Sequence, residues 1–279
     1  MSNNIIDKLI ICNPFKEPDI NWKYDRETQG FNKEKQRRKS GIIKSSKTDT
    51  NVFDDPGEFV EFKTVNEIRK RVNDWKNNGY RNVTQVTKDL LEHWNNKDQR
   101  ELPFFWCQLE AIETLIWLTE ANSSEHQGLD LQNNDGTKWV RECIKLATGT
   151  GKTVVMAMTI AWQILNKIEY RKDNRFSKNI LIVSPNITVR DRLKVLRPFH
   201  EKNYFQNYNI VKNDDWQKLN LGNIIIQNWH NFYELNDKDK AVIKKGKESD
   251  EAFFKRLFPE FGNSKNILVI NDEAHHCHR

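Results

Sequence analysis

Between residues 64 and 79 the apolar side chains return every three or four positions. Val65, Ile68, Val72 and Trp75 fall on one face of TVNEIRKRVNDWKNNG, the spacing of an amphipathic helix. Thr64 and Glu67 form a capping-box pair at its start, and Gly79 is placed to end it. A second stripe, Val83, Val86, Leu90, Leu91 and Trp94, predicts another such helix, and PFFWCQLEAIETLIWLTE predicts a third. Upstream, residues 19–41 set Trp22, Tyr24 and Phe31 around a turn containing Gly30 and end in the basic run KEKQRRK. This segment reads as hairpin-like. Residues 121–138 are polar, carry Gly128 and Gly136, and read as a loop.

Past that loop the pattern changes. Short apolar runs, WVRECIKL, NILIVS, NIIIQ and NILVIN, alternate with helical segments, as in a parallel sheet with crossover helices. The segments between them are a helix after Gly151, a short helix near residues 188–196, and a lysine-rich stretch over 234–264 that reads as a helical insertion. The expected fold class is therefore α/β: a P-loop parallel sheet flanked by helices, with a mostly helical amino-terminal appendage. Its expected divisions are an appendage over 1–63, a helical region over 64–120, a loop over 121–138 and the sheet domain over 139–279.

Composition narrows the setting. Cys12, Cys107, Cys143 and Cys277 are scattered without a CxxC pair, which suits reduced thiols better than a disulfide framework. The first residues carry no basic leader, and the best apolar stretch, VVMAMTIAWQIL, is too short to cross a bilayer. A soluble cytoplasmic protein with no membrane partner is expected. The net charge of +6 is compatible with a polyanionic partner, but a solvated lysine-rich surface accounts for it equally well.

The strongest chemical signal is LATGTGKTVVMAMTIAW. A strand ending at Leu146, a tight loop through Thr148, Gly149, Thr150 and Gly151, and a helix from Lys152 would gather backbone N–H groups and a positive helix end at one point. Glycines let the backbone approach phosphate oxygens, Lys152 brings a positive charge to the β/γ-phosphates, and the Thr153 hydroxyl can ligate Mg²⁺. The strict GxxxxGKT pattern wants glycine where this chain has Leu146. Downstream, NILVIN would deliver Asp272 and Glu273 to the same sheet edge. Asp272 there can hold Mg²⁺, and Glu273 can orient and deprotonate the attacking water. His275, His276, Cys277 and His278 follow, but adjacent ligands rarely close a zinc tetrahedron. His275 reads instead as a coupling residue beside the carboxylates.

These residues resemble a known family. DEAH at 272–275, GTGKT at 149–153 and Gln108 in FFWCQLEA look like motif II, motif I and the adenine-reading Q motif of superfamily-two helicases. NPFKEPDINWKYDRETQGF, VNEIRKRVNDW, FWCQLEAIETLIWLTE, ATGTGKTVVMAM, SPNITVRDRL, QNWHNF and NDEAHHCHR resemble, in order, the amino-terminal part of the large restriction subunits of type III restriction enzymes. The resemblance implies the first of two RecA-like motor domains, over 139–279, that hydrolyse ATP with Mg²⁺ and move on double-stranded DNA. It also implies a modification (methyltransferase) subunit as a further partner. It assigns adenine contact to Gln108, phosphate and Mg²⁺ contacts to Lys152, Thr153 and Asp272, and catalysis to Glu273. SPNITVRDRL corresponds to the family's backbone-contacting segment, with Thr188 and Arg190 as DNA-phosphate contacts; the bland reading of Arg190 and Arg192 is a solvated helix face.

Bland readings stand beside several of these. Gln108 has its own rationale, because a side-chain amide can pair with adenine's N6/N7 edge, but Phe105 and Trp106 read as core packing before base stacking. KEKQRRK and KKGK at 244–247 read as solvent-facing, with non-specific phosphate attraction as the minority reading. The resemblance places a second motor lobe and a nuclease lobe outside this chain, so a piece of a longer protein is expected. The alternative is a non-catalytic nucleotide-binding or DNA-binding remnant.

Overall fold

The appendage opens with strands rather than helices. In this computed structural model, which describes residues 10–25, 27–28, 30–44, 57–131, 140–229, 249–262, 264 and 266–273, β1 (Asn21–Asp25) pairs antiparallel with β2 (Gly30–Glu34). Tyr24 stands opposite Phe31, their rings edge-on at 5.2 Å, so the hairpin expected over 19–41 forms. A second antiparallel pair, β3 (Gly41–Lys44) with β4 (Glu58–Glu61), follows it. Helix begins only after these four short strands, and helices then make up most of the described residues between them and the sheet domain.

Then come α1 (Lys63–Asn77), α2 (Gln85–Asn95), α3 (Trp106–Glu120) and α4 (Lys152–Glu169). Gly79 takes φ +77° past the end of α1, as its placement predicted. The Thr64/Glu67 capping box does not form. Phe62 is the N-cap and no side chain caps the helix. The entry is set by β3 and β4 instead: Phe62 N–H donates to Ser40 O at 2.9 Å, and Glu67 accepts from Arg71 one turn on at 3.0 Å. The remaining elements are β5 (Asn179–Ser184), α5 (Ile187–Arg192), α6 (Tyr204–Asn207), α7 (Trp216–Leu219), β6 (Asn223–Asn228), α8 (Asp250–Leu257) and β7 (Leu268–Asn271).

The chain divides into two compact units, Met1–Val83 with Pro103–Thr150, and Thr84–Leu102 with Gly151–Arg279. In the first, α1 buries Val72 and Trp75, and α3 buries Leu109, Ile112, Ile116 and Trp117. Glu113 is buried within that packing and accepts from Lys76 at 2.6 Å and from the Tyr80 hydroxyl at 3.0 Å, as a buried carboxylate requires.

The second unit is built around α4, which is apolar on most of its circumference and correspondingly buried at Val154, Val155 and from Ala157 to Asn166. Helix α2 is capped by Thr84, which accepts the Thr87 N–H. It is tied to α4 through the Thr87 hydroxyl, which accepts from Trp162 Nε1 at 3.1 Å and from Asn166 Nδ2 at 2.9 Å. Arg100 donates to the carbonyls of His93, Tyr208 and Asn209; burial pushes its pKa down to about 10. The sheet is parallel in the order β6-β5-β7, with Ile182 of β5 between Ile226 and Ile270. Gly222 leads into β6 where the chain passes so close to α4 that a Cβ would collide with Ile164.

Residues 140–147 correct the reading of WVRECIKL. They form no strand; Val140 and Ile144 are exposed. The physical reason lies in the two faces of the run. A strand inside a parallel sheet is buried on both faces, whereas here one face would carry Arg141, Cys143 and Lys145. Residues 234–248 of the expected lysine-rich insertion lie outside the described residues; its described end is α8 and a 3₁₀ turn whose Phe258 and Phe261 pack with Leu181 of β5. No helix among the described residues is long and apolar enough to cross a membrane.

Candidate functional site

Within the second unit, α4 starts on an open end. Its N-cap is Gly151 at φ 77°, ψ 43°, a left-handed conformation that glycine adopts without a Cβ penalty. The cap supplies no side chain, and no acidic residue lies in the first turn. Val154 N–H donates to Gly151 O at 2.9 Å, but the first N–H groups of any α-helix lack partners inside it. Lys152 and Thr153 thus sit where backbone donors and the positive end of the helix dipole coincide.

Strand β7 brings carboxylates to that end. Asp272 N–H donates to Val183 O at 3.0 Å, carrying the β5–β7 ladder one residue past the strand, and the chain then turns at Glu273 with φ 56°. A non-glycine residue in this region costs about 1–3 kcal/mol. The turn lets Glu273 Oε1 accept from Lys152 Nζ at 2.9 Å, both side chains being 33% exposed. At such exposure an ion pair contributes about 1 kcal/mol or less, so a stronger anion can take Lys152 away at small cost. The Asp272 carboxyl is held above the usual range, chiefly by burial and next by the Glu273 charge, with Lys152 opposing. A lysine, a threonine hydroxyl and two neighbouring carboxylates at an open helix end form a donor set that fits a phosphate with Mg²⁺.

The preceding loop residues belong to the first unit. Thr150 N–H and its hydroxyl both donate to Ala147 O, at 3.4 and 2.6 Å, closing a tight turn around Gly149 at φ +80°. Thr148 and Gly149 are exposed. Gln108 is 5% exposed and its amide has two protein partners. Oε1 accepts the Phe105 N–H at 2.9 Å, and Nε2 donates to Thr150 O at 3.0 Å. Phe105, at the N-cap of α3, has no oxygen with which to cap the helix, so Gln108 closes the first turn from the third position. The aromatic neighbours are half-buried rather than in the core: Phe105 lies 5.5 Å from the Phe15 ring, and the Arg37 guanidinium sits 4.2 Å over Trp106.

Thr188 is exposed on α5, and Arg190 lies 3.4 Å from Asp191, a contact too long and too exposed to immobilise it. The segment is anchored behind them: Asn186 accepts the Val189 N–H at 2.8 Å, and Trp229 Nε1 donates to Pro185 O at 2.7 Å. Sequence reasoning gave Trp229 no such role; its only signal was a bulky donor directly after a strand. Reading KEKQRRK as solvent-facing is corrected for Arg37, which is held bidentate by Glu110 at 2.6 and 2.8 Å. His230, His275 and the neighbouring His276, Cys277 and His278 lie outside the described residues, as does KKGK.

One family model, that of the type III restriction enzyme res subunit, matches residues 101–279. No curated protein and no solved structure matches the chain. The family match takes in α3 with Gln108, the GTGKT loop and the acidic end of β7, and it spans well over half of the 279 residues. The chain belongs to the type III restriction enzyme res subunit family.

Proposed function

We propose that the protein is the ATP-binding first motor domain of a DNA translocase of the type III restriction kind, a RecA-like domain that hydrolyses Mg-ATP. The observation that carries this reading is the Lys152–Glu273 ion pair at the uncapped start of α4. Lys152 exchanges Glu273 for the β/γ-phosphates, whose charge the helix end also favours. That exchange frees Glu273 Oε1, which then orients the attacking water and accepts its proton. Thr153 and Asp272 are the residues to hold Mg²⁺. When bound, that ion supplies positive charge at the phosphate oxygens.

Thr148, Gly149 and Thr150 offer loop N–H groups by their place in the motif. Gln108 keeps one N–H and one lone pair unused, enough for an adenine edge. Thr188 and Arg190 are the DNA-phosphate contacts, and His275 couples the two activities. Double-stranded DNA is the partner track; a modification subunit is the further partner that family membership suggests.

Hydrolysis of ATP by the full chain, with and without duplex DNA, tests the reading. Glu273→Gln is expected to lower turnover by about 10²–10⁴-fold while nucleotide binding persists. A second reading, a nucleotide binder without turnover, is favoured by one observation: residues 140–147 stand outside the sheet. Lys152-dependent binding with no hydrolysis in the unsubstituted chain would select it.

A further inference from the structure

Within the first unit, α1, the start of α3 and residues 37–39 enclose a cleft of about 310 Å³. Six cations line it, Arg37, Arg38, Lys39, Arg69, Lys70 and Lys76, against three carboxylates. The carboxylates are shared unevenly. Glu110 takes Arg37 bidentate and is approached by Arg69 at 3.7 Å. Glu113 is occupied by Lys76 and Tyr80, and Lys39 turns to Glu61 at 3.0 Å. Arg38 and Lys70 are exposed and have no carboxylate partner among the described residues.

Glu17, the third, lies 3.3 Å from Arg37, so two guanidiniums share two carboxylates beside two cations with no carboxylate of their own. Arg69 registers its neighbour: burial first, and the Arg37 charge second, hold its pKa below the ordinary arginine value. The walls are braced. Arg37 lies on the Trp106 ring, and Asn66 of α1 accepts the Ser40 N–H at 2.8 Å while donating to Glu61 at 3.0 Å. From Arg69 to Lys76 the basic row covers about 10 Å of helix, with residues 37–39 alongside it. That length outruns a single phosphate and suits a run of them.

We infer that this cleft binds the sugar–phosphate backbone of nucleic acid, with Arg38 and Lys70 supplying the phosphate contacts. The attraction to an anion follows from the cleft itself; the choice of a nucleic acid rests on the DNA-handling function proposed above. Arg37 and Arg69 are held at Glu110, and Arg38 lies 5.7 Å over the Phe59 ring, which leaves its guanidinium edge and the exposed Lys70 to meet phosphates.

Fluorescence anisotropy of a labelled DNA duplex with the full chain, without nucleotide and across a salt series, tests this. In Arg38→Ala/Lys70→Ala the slope of log affinity against log salt should flatten by about two, and affinity should fall at every salt concentration. Thr188→Ala/Arg190→Ala, in the second unit, should weaken binding independently of that change. If the unsubstituted chain binds no duplex, the proposed DNA partner falls and this site with it. Duplex binding whose slope is unchanged in Arg38→Ala/Lys70→Ala overturns the cleft alone. Displacement of the duplex by inorganic pyrophosphate at equal phosphate concentration would make the cleft a small-anion site and also overturn the proposal.

Discussion

Helices α3 and α4 both begin at candidate chemistry, and they begin in opposite ways. Helix α3 closes its own first turn: Gln108, three residues in, accepts the N–H of Phe105 at 2.9 Å and is almost completely buried. Helix α4 has a left-handed glycine at the cap and no capping side chain. Its first lysine is met by Glu273, just past the end of a different strand, through a pair that is one-third exposed. A helix end serving the fold satisfies its donors locally and permanently. A helix end serving a ligand leaves its donors free and lends its charge to a weak, exchangeable partner. The same residue types, a glutamine and a lysine in a first turn, are read correctly only with their partners in view.

The comparison is most exposed to attack at Gln108. Gln108→Ala removes the cap of α3 and the donor to Thr150 O, which should cost about 1–2 kcal/mol and lower Tm by roughly 2–4 °C per kcal/mol. Thermal unfolding followed by circular dichroism measures this. An unchanged Tm with weakened ATP binding would reverse the assignment and make Gln108 chiefly an adenine reader.

Asp272→Asn sharpens the other side, with a smaller effect of opposite sign. Because burial and Glu273 raise the folded-state pKa of Asp272, its charged form is disfavoured by the fold. That penalty is absent below the unfolded-state pKa and grows as pH rises through the folded-state value. Asp272→Asn should therefore melt above the unsubstituted protein at pH 7, and the gain should close as pH falls through the carboxylate range. A gain that persists in acid would point to packing rather than charge as the origin.

Much of this arrangement was legible in the chain. NILIVS, NIIIQ and NILVIN are apolar on both faces, and they became the three parallel strands; the stripes over 64–120 became α1, α2 and α3. What failed did so where a local pattern was overridden by a neighbour. Thr64 and Glu67 had the right spacing for a capping box, but the Phe62–Ser40 bond sets the start of α1. WVRECIKL had enough apolar residues for a strand but put Arg141 and Lys145 on one face. The β3–β4 pair joins GIIK to EFVE across a long sequence gap, beyond the reach of a local hairpin signal. At the candidate site, the residue types of GTGKT and the acidic pair were readable. The ion pair between Lys152 and Glu273, and the second partner of Gln108, depend on distances that no spacing rule supplies.

The measurement that bears most directly on the open helix end is a calorimetric titration of Mg-ATP into the unsubstituted protein and into Lys152→Ala. Losing a charge-assisted contact of about 1.5–3 kcal/mol predicts binding weakened by roughly 10- to 100-fold, with the Tm of the nucleotide-free protein changed little because the Lys152–Glu273 pair is exposed. Equal affinity in the two proteins, or no binding in either, would contradict the account.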